Sequence, residues 1–542
     1  MNTIQPTPHT PKNLNEEEIK SLVSRNFIIS MLARIFRLAT RLFIPPIVLL
    51  FVSTEEYGLW SLCFVIIGYL GLGAFGISNV YVRYVAEYHA RHEVDKINQL
   101  VSTGIIVVLT ISLILLAVFY VFLPKLIVDI FKIAPHYHEM AFYLFYGTAC
   151  IFMIEISLGG FLYMLNGMQR ITETTLVSLV CISIETVLIV VFLLMGMGLY
   201  ALMAALIIRY FLMVGSYIYL SYRLIPGLSI GLRHFRRSCL RLFYRFGAVV
   251  QFTGMLSMTM NSMDKLVCGT TLGTQAAGLV DLGSRFPVTA AQIPGAMNTV
   301  MMPAISYMHS QQRKHEIYQL YISGTRNMNL IMGFILGFLS TFSGVIVAGW
   351  LGTREEFAVV ATIMTIVAFP QHLHILTGQG SAFFQGIEKP ARTLTYSLGR
   401  LSLVTVFLLL LFHFEKHPTV VHVVATVALA TVFGALNYFN YINRFLAVPN
   451  MEFIRRVLVP GFVPYLIGYL LTLLLSHWIE IALQNRWYAI GVVLVSGVIY
   501  SVVSGSVLYF LVLDVKERGQ VRRKTLKVIV RLTSIGRKLT RR

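Results

Sequence analysis

Long apolar stretches of about twenty residues, separated by short polar segments, follow one another along the whole chain. A helix needs about 20 apolar residues to cross the hydrocarbon core of a bilayer. The pattern therefore predicts an all-α integral membrane protein with fourteen transmembrane helices. The predicted spans are residues 26–51, 57–79, 100–122, 140–164, 174–194, 199–222, 246–268, 274–302, 327–350, 357–384, 393–413, 418–442, 457–479 and 488–513.

The composition agrees with this pattern and excludes a soluble globular enzyme. Of the 542 residues, 56% are hydrophobic and 13% are charged, whereas an average soluble domain has about 25% charged residues. The outer loops are too short for a catalytic domain. The five cysteines are scattered without a C-x-x-C pair, so we expect neither a disulfide framework nor a metal site. No catalytic residue, metal or cofactor is expected, and the chain is predicted not to be an enzyme.

The basic residues lie mainly on one side of the predicted membrane. With the N-terminus in the cytoplasm, 32 of the 44 Lys and Arg residues fall in inner segments and five fall in outer loops. Cytoplasmic loops carry such an excess, so both termini are predicted to be cytoplasmic, in a plasma membrane. The basic tail, residues 514–542, is expected to contact anionic lipid. This distribution accounts for the net charge of +20 without nucleic acid.

The chain resembles itself at an offset near 220 residues. Residues 58–62 align with 278–282, and residues 166–170 align with 385–389. Spans 1–6 and 7–12 are therefore predicted to form two six-helix lobes that run in the same direction. This is a parallel pseudo-twofold repeat of the kind found in transporters. The predicted segments are a cytoplasmic N-terminal segment, an N-lobe, a basic amphipathic linker, a C-lobe, two extra helices and a tail, at residues 1–25, 26–222, 223–245, 246–442, 457–513 and 514–542. The linker could equally be a plain positive-inside loop.

Ionisable residues inside membrane spans are costly and usually face a bundle interior or a water-filled cavity. Eleven occur here, with a net charge of +3. The basic members are Arg34, Arg37, Arg41, Arg209, Lys265, Arg285 and Arg400, and the acidic members are Glu155, Glu185, Asp264 and Asp281.

The first span holds the densest cluster of these charges. At about 100° per residue, Arg37 lies about 60° from Arg34 and Arg41 about 20° from it, so one helix face carries all three. Their guanidinium groups could hold a phosphate bidentately. Alternatively, Arg34 and Arg37 could reach the inner headgroups by snorkelling, with Arg41 paired to a buried acid.

The other charges suggest structural pairs or ion coupling. Asp281 and Arg285 stand at i and i+4 in the favourable order and predict a neutralised pair. Asp264 and Lys265 point about 100° apart, so each needs a partner elsewhere or faces water.

Three further charged residues of the N-lobe spans, Glu155, Glu185 and Arg209, could form a charge network. One of these carboxylates could instead carry a coupling proton. His372 and His374 point to different faces of span ten, which argues against a shared metal.

Several short motifs resemble those of a known family. Residues 55–62 (EEYGLWSL), residues 76–88 (GISNVYVRYVAEY) and residues 165–170 (LNGMQR) resemble bacterial polysaccharide transporters, as does Asp264 in span seven. These belong to the multidrug/oligosaccharidyl-lipid/polysaccharide exporter superfamily. The resemblance implies two six-helix lobes, two added C-terminal helices, alternating access and a cationic cavity.

The resemblance also implies a function. We expect a flippase that moves undecaprenyl-pyrophosphate-linked oligosaccharide, a polysaccharide repeat unit such as that of O-antigen, across the bacterial inner membrane. Arg34, Arg37 and Arg41 would hold the pyrophosphate; Arg209, Arg285 and Arg400 would add charge. Ion-coupling or structural roles would fall to Glu155, Glu185, Asp264, Lys265 and Asp281. The alternatives are a lipid II-type flippase and a cation-coupled exporter of small solutes. Lipid-linked oligosaccharide, anionic lipid and polysaccharide assembly proteins are the expected partners.

Overall fold

The computed structural model describes residues 16–71, 77–295, 297–515, 517–519 and 522, which are mainly helical and include no β-strand. Most of the predicted N-terminal segment and of the predicted basic tail lies outside the described residues, as does Gly76 of the second motif. The chain divides into two compact units, Met1–Met255 and Leu256–Arg542, called here the N-unit and the C-unit.

Among the residues that the structure describes, eight helices precede the boundary region. They are α1 Glu16–Val48, α2 Thr54–Gly71, α3 Ile77–Ala90, α4 Val94–Lys125, α5 His138–Leu158, α6 Gly160–Gly167, α7 Ile171–Leu194 and α8 Tyr200–Leu224. A long helix, α9 Arg237–Thr271, then crosses from the N-unit into the C-unit.

Eleven helices follow α9 within the described part of the C-unit. They are α10 Thr274–Gly295, α11 Asn298–Ser310, α12 Lys314–Thr341, α13 Ser343–Leu351, α14 Glu356–Gly386, α15 Leu394–Phe414, α16 Val420–Leu446, α17 Asn450–Phe453, α18 Val459–Leu474, α19 Ser476–Ala482 and α20 Arg486–Val507. Each predicted span coincides with one of these helices or with two in succession.

Several spans are broken helices. The fourth span consists of α5 and α6, which meet at Gly159, and the ninth consists of α12 and α13, which are bent by 70° at Phe342. Among the described residues, nine helices are long and apolar enough to cross a membrane, or ten if the bent pair counts as one span. Helix α1 is not among the nine, since its span contains three arginines. The chain is thus a multi-pass membrane protein.

The two units share a packing scheme. In the N-unit, α5 packs against α2 and α4, and α7 packs against α8. In the C-unit, α14 packs against α10 and α12, and α15 packs against α16. These are the pairs that the internal repeat makes equivalent, because α10, α12, α14, α15 and α16 occupy the places of α2, α4, α5, α7 and α8. The duplication seen in a few short motifs therefore extends to tertiary packing.

The segment between α8 and α9 is not the single amphipathic helix that residues 223–245 predict. It runs non-helically from Ile225, forms a short 3-10 turn at Leu232–His234, and becomes helical again at Arg237. Polar side chains on the first turns of α4 hold it. Asn98 donates to Gly227 O at 3.1 Å and accepts from Ser229 N at 3.0 Å.

Two hydroxyl side chains of α4 also bind the segment between α8 and α9. Ser102 Oγ accepts from Gly231 N at 3.1 Å, and Thr103 Oγ1 accepts from Arg236 N at 3.0 Å. Backbone groups that would otherwise form helical hydrogen bonds are thus satisfied by side chains. The segment follows the surface of the N-unit as an extended strap.

The last helices pack against α12 and α13 of the C-unit. Helix α18 packs along α12, where Asn329 donates through Nδ2 to Val457 O and Leu458 O. Helix α20 packs against α13 and α18, and Tyr500 donates to Phe334 O at 2.9 Å. The two extra helices are therefore tied to α12 by buried polar contacts as well as by apolar packing.

Candidate functional site

Three arginines line one stretch of α1. Arg34, Arg37 and Arg41 are all exposed on the N-unit, and α1 is continuously helical through them. Seven residues of helix separate the first from the last, a rise of about 10 Å at 1.5 Å per residue. The structure thus presents three guanidinium groups as a ladder along the helix, with the spacing that the sequence predicts.

Helix α1 packs against α7, which brings the Arg41 end of this ladder beside a buried ion pair. Arg209 Nη1 of α8 lies 3.0 Å from Glu185 Oε2 of α7. The side chains of this pair are 20% and 12% exposed. Arg41 interacts electrostatically with the same carboxylate. Glu185 therefore lies between the α1 ladder and Arg209, consistent with the predicted charge network.

Glu155 completes the N-unit group. Its carboxylate, on α5, interacts with the Tyr210 hydroxyl and with the charge of Arg209. Farther along the ladder, Arg37 interacts electrostatically with Tyr217. Tyr210 and Tyr217 were not anticipated from the sequence, although Tyr210 follows Arg209 directly and Tyr217 lies two turns farther along α8.

The C-unit holds a second charge group, centred on one acid. Asp281 of α10 accepts hydrogen bonds from both Lys265 of α9 and Arg285 of its own helix. Asp281 is 7% exposed, so a low-dielectric environment surrounds this triad. The predicted Asp281–Arg285 pair is present, and Lys265 finds in Asp281 the distant partner that its position on α9 requires.

Arg400 of α15 is held mainly by neutral groups. It is 7% exposed, donates through Nε to Thr431 Oγ1 at 3.0 Å, and donates through Nη2 to Met260 O at 3.2 Å. Asp264 interacts electrostatically with it, while Asp264 Oδ1 accepts from the backbone N of Lys265 at 2.9 Å. No sequence signal pointed to Thr431, because its partner lies 31 residues away on another helix.

The histidines of α14 have separate surroundings. His372 Nε2 lies 3.2 Å from Asn329 O, and His374 Nδ1 lies 2.6 Å from the Tyr396 hydroxyl. Across the described residues, no group of three or more His, Cys, Asp or Glu side chains is arranged to hold a metal ion.

The predicted site residues thus fall into two groups. Arg34, Arg37 and Arg41 are exposed beside the Glu155, Glu185 and Arg209 network of the N-unit. Lys265, Asp281 and Arg285 form a triad in the C-unit, near which Asp264 interacts with Arg400. The ladder differs from the other intramembrane cations in its exposure, because those cations are buried or half-buried.

Comparison with known proteins agrees with the resemblance drawn from the motifs. Residues 164–354 match the model of a family described as polysaccharide biosynthesis protein. No curated protein matches the sequence. The family match spans the end of the N-unit and the first helices of the C-unit.

Solved structures share the fold over most of the chain. One titled "Lipid II flippase MurJ, inward closed conformation" has a TM-score of 0.65 and 14% identity, and covers 89% of this chain and 98% of that one. An inward-facing multidrug resistance MATE family transporter of the MOP superfamily has a TM-score of 0.59 and 15% identity, and covers 77% and 94%.

A MOP superfamily transporter from Pyrococcus furiosus, whose title reports a binding pocket of reverse polarity, has a TM-score of 0.53 and 16% identity, and covers 80% and 96%. The chain therefore has the fold of this transporter superfamily, which confirms the predicted all-α architecture of two six-helix lobes with added C-terminal helices.

Proposed function

We propose that this protein is a flippase that moves an undecaprenyl-pyrophosphate-linked oligosaccharide across the bacterial inner membrane by alternating access. The observation that carries the proposal is the α1 ladder. Arg34, Arg37 and Arg41 are exposed on one helix of the membrane region, where cations are costly and usually face a bundle interior or a water-filled cavity. The fold and the polysaccharide biosynthesis family match support the same class of activity.

The ladder suits a pyrophosphate by geometry and charge. Guanidinium groups bind phosphate oxygens through parallel N–H donors, and a rise of about 10 Å lets successive arginines contact both phosphates or pass them along the helix. Arg209, Arg285 and Arg400 would act at longer range, since each is already bonded within the protein. Flipping needs no covalent chemistry, so we propose no catalytic residue.

Energy coupling would use the acids beside these cations. Glu155, Glu185 and Asp264 are the candidate carriers, because each lies near an arginine. A cation bound to the acid would cancel its negative charge and so weaken its attraction to that arginine. Lys265 and Asp281 would serve structure, since the Asp281 carboxylate is shared between Lys265 and Arg285. The excess of inner-loop Lys and Arg supports cytoplasmic termini and contact of the strap and the tail with anionic lipid.

The test is transport by the purified protein in proteoliposomes. Undecaprenyl-pyrophosphate-linked oligosaccharide is placed in one leaflet, and its arrival in the other is measured by lectin binding. Arg37→Ala and Arg41→Ala are expected to reduce the initial rate at least tenfold, since each removes about 1.5–3 kcal/mol of charge-assisted hydrogen bonding. Arg37→Lys should retain part of the rate, because it keeps the charge and loses the fork geometry.

Arg91→Ala is the matched control, because Arg91 is exposed, forms a surface ion pair with Glu87, and follows the end of α3 outside the predicted spans. It should transport like the unmodified protein. Equal rates for Arg37→Ala, Arg41→Ala and Arg91→Ala would show that the ladder does not bind the substrate.

A lipid II-type substrate is the second candidate. It is favoured by the TM-score of 0.65 to the structure titled as a lipid II flippase, with 98% of that chain covered. Offering lipid II and an oligosaccharide-linked lipid in the same vesicles separates the two candidates, since the faster substrate identifies the headgroup.

A further inference from the structure

The C-unit contains a polar cavity that the ladder does not involve. It has a volume of about 200 Å³ and lies among α9, α11, α14 and α15. Its described lining includes Met260 and Ile375 but no Asp, Glu, Lys or Arg. The polar side chains that line it are Ser257, Asn261, Asn298, His374, Thr377, Ser381, Tyr396 and Ser397.

The size and lining of this cavity limit its occupant. Sites for drug-sized ligands have volumes of roughly 300–1,000 Å³, so this cavity accepts a single small ring. Hydroxyl and amide side chains can both donate and accept hydrogen bonds, and they carry no charge. The lining therefore suits a neutral group with several hydroxyls rather than a free ion.

Asn298 is placed to recognise such a group. Its amide nitrogen lies against the bare backbone of Gly378, where a Cβ atom would collide with it. Its Oδ1 is buried and has no hydrogen-bond partner among the described residues. A buried acceptor without a donor is unfavourable, so a ligand hydroxyl would satisfy this atom.

Two aromatic rings form one side of the cavity. His374 and Tyr396 are stacked, with ring centroids 5.6 Å apart, and are joined by the 2.6 Å contact between Nδ1 and the hydroxyl. Tyr438 also packs against Tyr396, with centroids 5.2 Å apart. Such rings have an apolar body and a polar edge. A pyranose ring has the same division, with C–H groups on its faces and hydroxyls on its rim.

A buried guanidinium lies next to this wall. Arg400 donates to the carbonyl of Met260, which lines the cavity, and interacts with Tyr396. Its Nη1 is buried without a partner among the described residues. Arg400 thereby holds α9 and α15 together beside the cavity and polarises the tyrosine hydroxyl without adding a charged group to the lining.

We propose that this cavity binds one neutral sugar residue of the lipid-linked oligosaccharide. The proposal rests on the proposed flippase function and adds to it a sugar-recognition site within the C-unit. Helix α14 ends at Gly386, nine residues or about 13 Å beyond Thr377, and α15 begins two residues before Tyr396. The cavity is thus near the end of the unit that the loop charges predict to be cytoplasmic, where a substrate would enter.

The experiment measures the binding of simple sugars to the purified full chain by saturation-transfer NMR, which detects millimolar affinities. The probes are the methyl glycosides of glucose, galactose and N-acetylglucosamine, with inorganic pyrophosphate as the charged comparison. At least one glycoside should bind. Thr377→Val and Ser397→Ala should each weaken that glycoside about three- to tenfold, as expected for a lost hydrogen bond, and should leave pyrophosphate binding unchanged.

Thr362→Val is the matched control. Thr362 is also on α14, is exposed, and donates to Ala358 O of its own helix. It should bind the glycoside like the unmodified protein. The proposal is overturned if no glycoside binds, or if Thr377→Val and Ser397→Ala bind like Thr362→Val.

The result is independent of the transport assay. If a glycoside binds at the cavity while no lipid-linked oligosaccharide is flipped, the proposed function fails and the sugar site stands. If flipping proceeds while no glycoside binds, the sugar site fails and the flippase stands.

Discussion

Individual charged residues in this protein differ in what surrounds them, although all are unusual for a membrane span. Arg209, Lys265, Arg285 and Arg400 are bonded to protein groups within their units. The arginines of α1 are exposed. A buried cation without a counter-charge is strongly unfavourable. Substitutions that break the contacts of the bonded cations should therefore lower the stability of the fold, whereas substitutions in the ladder should affect folding less.

Asp281 allows this distinction to be tested. Asp281→Asn leaves Lys265 and Arg285 without their shared carboxylate, and breaking a buried ion pair costs about 3–5 kcal/mol. We expect a clearly lower midpoint of thermal unfolding for the purified protein. Glu173→Gln is the control, since it breaks the exposed pair with Arg170, worth about 0–1 kcal/mol. Unfolding of Asp281→Asn at the unmodified midpoint would show that the triad adds no stability.

At the scale of helices, the docking of α18 on α12 depends on two glycines in contact. A Cβ atom at Gly333 would clash with the carbonyl of Gly461, so Gly333→Ala should separate the helices. Overpacking of this kind costs about 1–3 kcal/mol. The expected result is a lower unfolding midpoint and faster hydrogen exchange in α18.

Gly491 offers a matched comparison. It lies within α20, where an added Cβ would meet nothing within 4 Å. Gly491→Ala should therefore be neutral or stabilising by about 0.5–1 kcal/mol, because alanine favours the helix. Equal stability of the two variants would contradict the proposed role of the close contact.

The strap between α8 and α9 depends on α4 in a different way. Asn98 is 2% exposed, and its side chain satisfies both Gly227 O and Ser229 N. Asn98→Ala should cost about 1–3 kcal/mol for the groups left unpaired. We expect faster amide exchange at Ser229 and at Gly231, whereas Ser216→Ala, which removes an exposed hydroxyl bonded within α8, should leave that exchange unchanged.

At the scale of the whole molecule, the loop charges make a testable prediction about sidedness. Gln311 and Gln484 are both exposed and lie between helices. Gln311 is on the predicted inner side of the membrane and Gln484 on the predicted outer side. In a background without native cysteines, Gln311→Cys should react with an impermeant maleimide only after the cells are opened. Gln484→Cys should react in intact cells. The reverse pattern would invert the predicted topology.

The native cysteines need removal mainly as a precaution. Cys239 is half-buried near the start of α9, outside the predicted spans, and burial raises the pKa of its thiol. A raised pKa lowers the thiolate fraction that reacts with maleimide. The other native cysteines lie within the predicted spans.

Much of the architecture follows from the sequence. An apolar stretch of about twenty residues is sufficient to predict a span, and helices occupy all fourteen predicted positions. Helical spacing likewise places Arg34, Arg37 and Arg41 together and pairs Asp281 with Arg285. The internal repeat predicts the equivalent helix pairs that the two units show. Each of these inferences uses residues that are near in sequence or a property summed along the chain.

Tertiary structure decided the partners that are far apart in sequence. Lys265 of α9 pairs with Asp281 of α10, and Arg400 of α15 donates to Thr431 of α16. Asn98 of α4 binds the strap, 129 residues away in the sequence. The sequence left the linker open between a helix and a loop because its basic, amphipathic pattern fits both, and the hydrogen bonds from the α4 hydroxyls and amide decide for the strap. The polar cavity likewise exists only where four helices meet. Side-chain partners depend on how helices pack, and packing depends on shape complementarity that no local pattern contains.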